Sequence, residues 1–100
     1  MTKRNNETVD KLYQAILSLR DKEECRLFLE DICTIQELET IAQRLQVAAL
    51  ICEGKSYSEV NKITGASTTT ICRVGKCINY GEGGYRMAIE RLGKGENADA

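Results

Sequence analysis

Apolar residues recur through the first half of the chain at the three- and four-residue spacing of amphipathic helices. Residues 9–19 predict a first helix, and Asp21, with Glu24 in the reciprocal capping position, predicts the start of a second. A capping box at residues 34–37 predicts a third helix, the longest, which ends before Gly54. The predicted inner faces consist of Val9, Leu12, Tyr13, Ile16 and Leu19, then Leu27, Phe28 and Ile32, then Leu38, Ile41, Ala42, Leu45, Ala48, Ala49 and Cys52.

Residues 56–80 predict two shorter helices joined by a glycine turn. Ser56 and Glu59 form a second capping box, Gly65 stops the helix that follows it, and Ser67 caps the next helix. Two helices, a turn of about three residues and a capped second helix make a helix-turn-helix. The side chains predicted to face inward are Val60 and Ile63 in the first helix and Ile71, Val74 and Ile78 in the second.

The chain after residue 80 predicts one more helix. The segment NYGEGGY at residues 79–85 breaks the preceding helix, and a short last helix then carries Tyr85, Ala88, Ile89 and Leu92. We expect one helical domain over residues 1–92 and a disordered polar tail at 93–100. The pattern is helical from end to end, and the chain has no proline and many Glu, Lys, Leu and Ala residues, so the predicted fold class is all-α.

Composition argues against several classes of function. The chain has no His, and its five Cys include no C-x-x-C pair, so neither a zinc site nor the commonest general base is expected. The cysteines are interpreted as small core residues in a reducing compartment. No phosphate-binding loop is present, so we expect neither an enzyme nor a cofactor. No segment predicts a membrane span or a secretory signal, which predicts a cytoplasmic protein.

Positive charge is concentrated in the predicted helix-turn-helix. The whole chain has a net charge of −1, which disfavours broad electrostatic binding to nucleic acid. Residues 55–80, however, carry four basic residues against Glu59 alone. A chain of a hundred residues buries only a modest apolar core, and pairing with a second copy of the chain would increase the buried area.

Three consecutive threonines open the second helix of the predicted helix-turn-helix. Threonine is a poor helix former, but Thr68, Thr69 and Thr70 offer hydroxyl and methyl groups to base edges in a major groove. The alternative is that they are solvated residues at a helix start, where threonine is common. Asn61 stands where many such motifs have a small residue, which predicts a slightly opened helix pair.

The segment GASTTTICRVGKCINYGEGGY resembles the YerC/YecD family of the Trp repressor superfamily, a bacterial family. The similarity extends from the second predicted helix through the last, and the segment CTIQELETIAQRLQVAALICEGKSYSEV shares the repressor pattern. The resemblance implies an all-helical, intertwined homodimer that binds double-stranded DNA at half-sites about one helical turn apart.

The resemblance also implies positions for a small-molecule corepressor. The ligand-contacting positions of the tryptophan-sensing branch fall on Thr34, Arg44 and Arg73. Val74 stands where that branch has glycine, and Cys77 replaces a hydroxyl residue, which argues against tryptophan itself. An amino-acid-like corepressor and structural roles for both arginines remain alternatives: Arg44 in an ion pair, Arg73 on a phosphate.

The predicted function is that of a sequence-specific transcriptional regulator, most simply a repressor. The residues predicted to contact bases are Thr68, Thr69, Thr70 and Cys72, and those predicted to contact phosphates are Tyr57, Ser58, Lys62 and Lys76. One alternative is a helical protein-interaction module or a ligand sensor that does not read DNA. Another is a redox sensor that uses Cys72 and Cys77, which their five-residue spacing disfavours because it places them on different helix faces.

Overall fold

The described part of the chain is built from helices alone. The computed structural model describes the backbone of residues 6–99 and the side chains of residues 6–93, and no strand occurs among them. The predicted all-α class is therefore confirmed. The six helices are α1 (Glu7–Leu17), α2 (Lys22–Ile32), α3 (Ile35–Cys52), α4 (Tyr57–Thr64), α5 (Thr68–Tyr80) and α6 (Gly84–Asp99).

The chain divides into two units at residues 38 and 39, and local caps define the helices of the first. The Asp21 carboxylate accepts from the Glu24 amide at 2.9 Å, and the Glu24 carboxylate accepts from the Arg20 amide at 2.9 Å. Thr34 and Glu37 make both bonds of a capping box, at 3.0 and 2.8 Å. Both predicted helix starts are confirmed.

Taken by itself, the first unit has no core. None of residues 6–38 is buried, although the apolar residues of α1 recur on one face as the sequence predicts. Large apolar side chains of this unit that remain exposed are Val9, Leu12, Tyr13, Ile16, Leu17, Leu27, Ile32 and Ile35. These helices have the amphipathic pattern that is typical of packed helices, but nothing inside the unit covers their apolar face.

The second unit contains the core. Its buried residues are Val47, Ala48, Val60, Ala66, Ile71, Val74 and Ile78, with Leu50, Ile51, Tyr85 and Ile89 packed against them. The prediction that Ile63 faces inward is wrong, since its side chain is 55% exposed. Ile41 and Leu45 of α3 are also largely uncovered, because the apolar stripe of α3 is wider than the surface that this unit packs against it.

Helices α4 and α5 pack against each other and are joined by a connection of three residues, 65–67. Ser56 and Glu59 form the predicted capping box at the start of α4. Gly65 ends α4 in the left-handed conformation (φ 75°), where its missing Cβ removes the steric penalty. The Ser67 hydroxyl caps α5 by accepting from the Thr70 amide at 3.1 Å, which confirms the predicted cap.

Helix α6 is longer than the sequence predicted. Its backbone continues to Asp99, past the boundary expected at residue 92. Gly93 weakens a helix, but it lacks the positive φ with which Gly65 stops α4, and no proline follows. The side chains of residues 94–100, and all of Ala100, lie outside the described residues, and the disordered tail stays a prediction.

The α4 capping box makes part of the stability depend on pH. Hydrogen bonds from the Ser56 backbone amide and then its hydroxyl, and the nearby charge of Lys55, lower the pKa of Glu59 below its ordinary value of 4.5. A lowered folded-state pKa stabilises the fold above 4.5, and this contribution is lost as the pH falls through the folded value.

We expect Glu59→Gln to remove this pH-dependent contribution while keeping an oxygen that accepts from the Ser56 amide. The difference in urea midpoint between wild type and variant should be largest above pH 4.5 and should disappear on acidification. Glu82→Gln, at an exposed glutamate without a hydrogen bond to another described residue, is the matched control. A constant difference at every pH would contradict the account.

Candidate nucleic-acid interface

The start of α5 presents two unengaged threonine hydroxyls. Thr68 and Thr69 are exposed, and neither hydroxyl bonds to another residue of the described chain. Thr70 differs, since it is half-buried and its hydroxyl accepts from the Ser67 hydroxyl at 3.2 Å. Of the three threonines predicted to contact bases, the structure therefore leaves two free for a partner.

Two helical turns of α5 form one exposed surface that carries hydroxyl, thiol and cationic groups, which we call the α5 surface. A shallow concavity there is lined by Thr68, Thr69, Cys72, Arg73 and Lys76. It brings together three residues predicted to contact bases and one predicted to contact a phosphate, and it adds Arg73. Neither Arg73 nor Lys76 has an ion pair within the second unit, so both cationic groups are available to an anion.

The phosphate contacts predicted on α4 are placed unevenly. Ser58 and Lys62 are exposed. Tyr57 is 43% exposed, and its hydroxyl lies so close to Gly75 of α5 that a Cβ at position 75 would collide with it. The small residue that lets α4 and α5 approach is thus Gly75 on the second helix. Asn61, which predicted an opened pair, has a different role.

Asn61 bonds to the connection between α4 and α5. Its side-chain amide donates to the Ala66 carbonyl at 2.8 Å. The Thr64 hydroxyl donates to the Val60 carbonyl at 2.8 Å and accepts from the Ala66 amide at 3.0 Å. From α3, the Gln43 side chain donates to the Thr64 carbonyl at 3.3 Å. Sequence analysis missed these bonds, although Asn and Thr beside a helix-ending glycine often bond to nearby backbone.

A second concavity, which we call the α5 cavity, has a volume of about 270 Å³. It is lined by Arg44, Thr69, Thr70, Arg73, Val74, Cys77 and Tyr85. The structure thus brings together Arg44 and Arg73, which the resemblance implied as corepressor contacts, and leaves both without an ion pair in the second unit. Tyr85 was not predicted in this role. Thr34 belongs to the first unit, where it caps α3.

The cysteines are less buried than the sequence predicted. Cys52, Cys72 and Cys77 are exposed, and Cys25 and Cys33 are half-buried, so their interpretation as small core residues is wrong for the described chain. An exposed cysteine on α5, Cys72, belongs to the α5 surface, which apolar periodicity alone does not reveal. No three of the described Cys, Asp or Glu residues are grouped as ligands for one metal ion.

Comparison with known proteins decides the family. Residues 7–93 match the family model described as Trp repressor protein. The chain belongs to the Trp repressor family. It is 50% identical over 84 residues to the uncharacterized protein YerC of Bacillus subtilis (strain 168), an alignment that covers 84% of this chain and 81% of YerC.

A solved member of the Trp repressor family has the same fold. The crystal structure of a TrpR like protein from Eubacterium eligens superposes with a TM-score of 0.84 at 46% identity, covering 89% of this chain and 92% of that one. The predicted resemblance is therefore confirmed. The Trp repressor family is regulatory and non-enzymatic. Membership in this family indicates that the protein is a DNA-binding regulator. Among the described residues, no helix is long and apolar enough to cross a membrane.

Proposed function

We propose that the protein is a transcriptional regulator, most simply a repressor, that binds a specific DNA sequence as a homodimer through a helix-turn-helix formed by α4 and α5. The observation that carries the proposal is the α5 surface, on which free hydroxyls and unpaired cationic groups lie side by side. Family membership supports the same class of function.

The chemistry of the α5 surface suits the major groove. The exposed Thr68 and Thr69 side chains each combine a hydroxyl that donates and accepts with a methyl group that can contact thymine. They stand in the first turn of α5, the part of a recognition helix that lies nearest the base edges. Cys72 follows about one turn later on the same surface, while Thr70, half-buried, is the weakest of the four predicted base contacts.

Positively charged and hydroxyl side chains flank this surface and suit contacts to phosphate. Lys76 and Arg73 belong to the α5 surface, and Lys62 and Ser58 are exposed on α4. Tyr57 also presents part of its ring. Because the chain as a whole carries a net charge of −1, a few such contacts must hold the DNA, and orientation contributes more than general attraction.

A second copy of the chain accounts for the exposed apolar face of the first unit. Eight large apolar side chains between Val9 and Ile35 are exposed there, and no residue of that described unit is buried. Leaving such a face in water is unfavourable by about 25 cal/mol per Å² of apolar area. A twofold partner that covers it would also set two α5 surfaces for two half-sites about one DNA turn apart.

In vitro selection from random duplexes with the purified protein tests the proposal. We expect enrichment of one sequence with two half-sites in twofold symmetry, their centres about 10 base pairs apart. Failure to enrich any sequence at low salt, even with pooled amino acids present, would refute it and would favour the helical protein-interaction module. Running the selection with and without pooled amino acids also tests whether a ligand is needed.

Lys76→Ala should weaken binding to all duplexes about equally. Removing one phosphate contact per protomer lowers the slope of log K against log salt by about one unit for each contact. The slopes are measured by titrating cognate and random duplexes over a range of salt concentrations. Lys11→Ala, an exposed lysine on α1, is the control, and a loss confined to the cognate duplex would contradict the phosphate role of Lys76.

A second candidate is ligand-dependent binding through the α5 cavity. Two unpaired arginines, Arg44 and Arg73, face one cavity, which favours a small anionic ligand of amino-acid type. Val74, 2% exposed, also lines it and takes space there. Enrichment of an operator only in the presence of amino acids would support this candidate.

A further inference from the structure

Three side chains make hydrogen bonds to the backbone at the α4–α5 connection. Ala66 is 2% exposed, so its amide and carbonyl are shielded and need partners inside the protein. The amide donates to the Thr64 hydroxyl, and the carbonyl accepts from the Asn61 side chain. The Thr64 carbonyl accepts from Gln43, which ties the connection to α3.

Of these bonds, the one from Asn61 acts closest to α5. Ala66 immediately precedes Ser67, the residue that caps α5 and bonds to Thr70. The Asn61 amide therefore fixes the peptide from which α5 begins, and a rotation of that peptide would move the Ser67 cap and the first turn with it. Asn61 itself is exposed and lies on α4, so it reaches the recognition helix only through the connection.

We propose that Asn61 is a positioning residue for sequence recognition. Its bond to the Ala66 carbonyl holds α5 in one orientation, so that Thr68 and Thr69 meet base edges in a fixed register. The inference rests on the proposed function, since it concerns how the same DNA surface is oriented. It adds that a side chain of the protein itself contributes to this orientation.

The test compares Asn61→Ala with wild type on cognate and random duplexes, and by amide hydrogen exchange. We expect cognate affinity to fall about 5- to 150-fold, the effect of one net hydrogen bond in each of two protomers, while affinity for random duplexes is unchanged. Exchange at the Thr70 amide, which donates to the Ser67 cap, should accelerate about 3- to 10-fold. Asn79→Ala, at an exposed asparagine of α5 without a hydrogen bond to another described residue, should change neither measurement.

A second variant protects the test against misfolding. Thr64→Val keeps the branched shape and removes the hydroxyl that accepts from Ala66, so it should also lower cognate affinity alone. Equal losses on both duplexes, or unchanged exchange at the Thr70 amide in a folded Asn61→Ala protein, would overturn the inference. A wild-type protein that selects no sequence would instead refute the proposed function, while an unchanged cognate-to-random ratio in Asn61→Ala would refute only the role of Asn61.

Discussion

Ile16→Glu is expected to convert the proposed dimer into monomers at micromolar concentration. Ile16 lies on the apolar face of α1 and is 44% exposed in the single chain, so a partner that covers this face buries it. By twofold symmetry each substitution removes two apolar side chains, and full burial of such a side chain contributes about 1.5–3 kcal/mol. Because only the exposed 44% of each Ile16 is left for the partner to cover, the two together contribute about 1.3–2.6 kcal/mol. The dissociation constant should therefore rise about 10- to 90-fold, before the cost of burying a carboxylate is added.

Sedimentation velocity at several protein concentrations measures this effect. Lys11→Glu is the matched control, because Lys11 lies on the opposite side of the same helix and receives the same charge. The control should remain dimeric. If the Ile16→Glu protein kept the wild-type dissociation constant, or if the wild type were monomeric, the second copy would not be the partner of this face.

Thr69→Phe is expected to reduce sequence preference strongly while leaving general attraction to DNA in place. Thr69 is exposed in the first turn of α5, and a ring there exceeds the space that a hydroxyl and a methyl occupy against base edges. Loss of one base contact costs about 1–3 kcal/mol per half-site, which is about 2–6 kcal/mol over two half-sites, so cognate affinity should fall about 30-fold or more. Random duplexes, held by phosphate contacts, should bind nearly as before.

Competition between cognate and random duplexes measures the ratio directly. Asn79→Phe puts the same ring at an exposed position near the other end of α5 and should keep most of the preference. If Thr69→Phe reduced binding to both duplexes by the same factor, Thr69 would contribute to attachment and not to sequence recognition.

Local features of the fold could be predicted from the sequence because their interactions span four residues or fewer. The caps at Asp21, residues 34–37, Ser56 and Ser67 all form as predicted, since each depends on a side chain and the amide three residues later. Gly65 ends its helix for a similarly local reason. The starts of α2 to α5 follow from these positions.

The misses concern packing between distant segments. Ile63 has the right spacing for the core, yet its side chain is left 55% exposed. The approach of Tyr57 to Gly75 depends on how two helices meet, and Tyr85 reaches the α5 cavity from α6. The sequence pattern along one helix does not show where the neighbouring helices lie, so these contacts could not be predicted without the structure.

Asn61 falls between the two cases. Its bond to Ala66 spans only five residues, but it crosses the end of a helix, where spacing rules for helices no longer apply. Sequence analysis treated it as a residue too large for a helix contact. The structure shows it bonding to the backbone of the connection instead.

Thr69 lines both the α5 surface and the α5 cavity, and so does Arg73. A molecule filling the cavity would therefore touch the same two side chains that face the outside of α5. If such a molecule changes the affinity of the α5 surface for its partner by some factor, that partner must change the affinity of the α5 cavity for the molecule by the same factor. Because the two concavities share Thr69 and Arg73, binding in the α5 cavity can be coupled to binding on the α5 surface through direct contact. Such coupling would not require a conformational change.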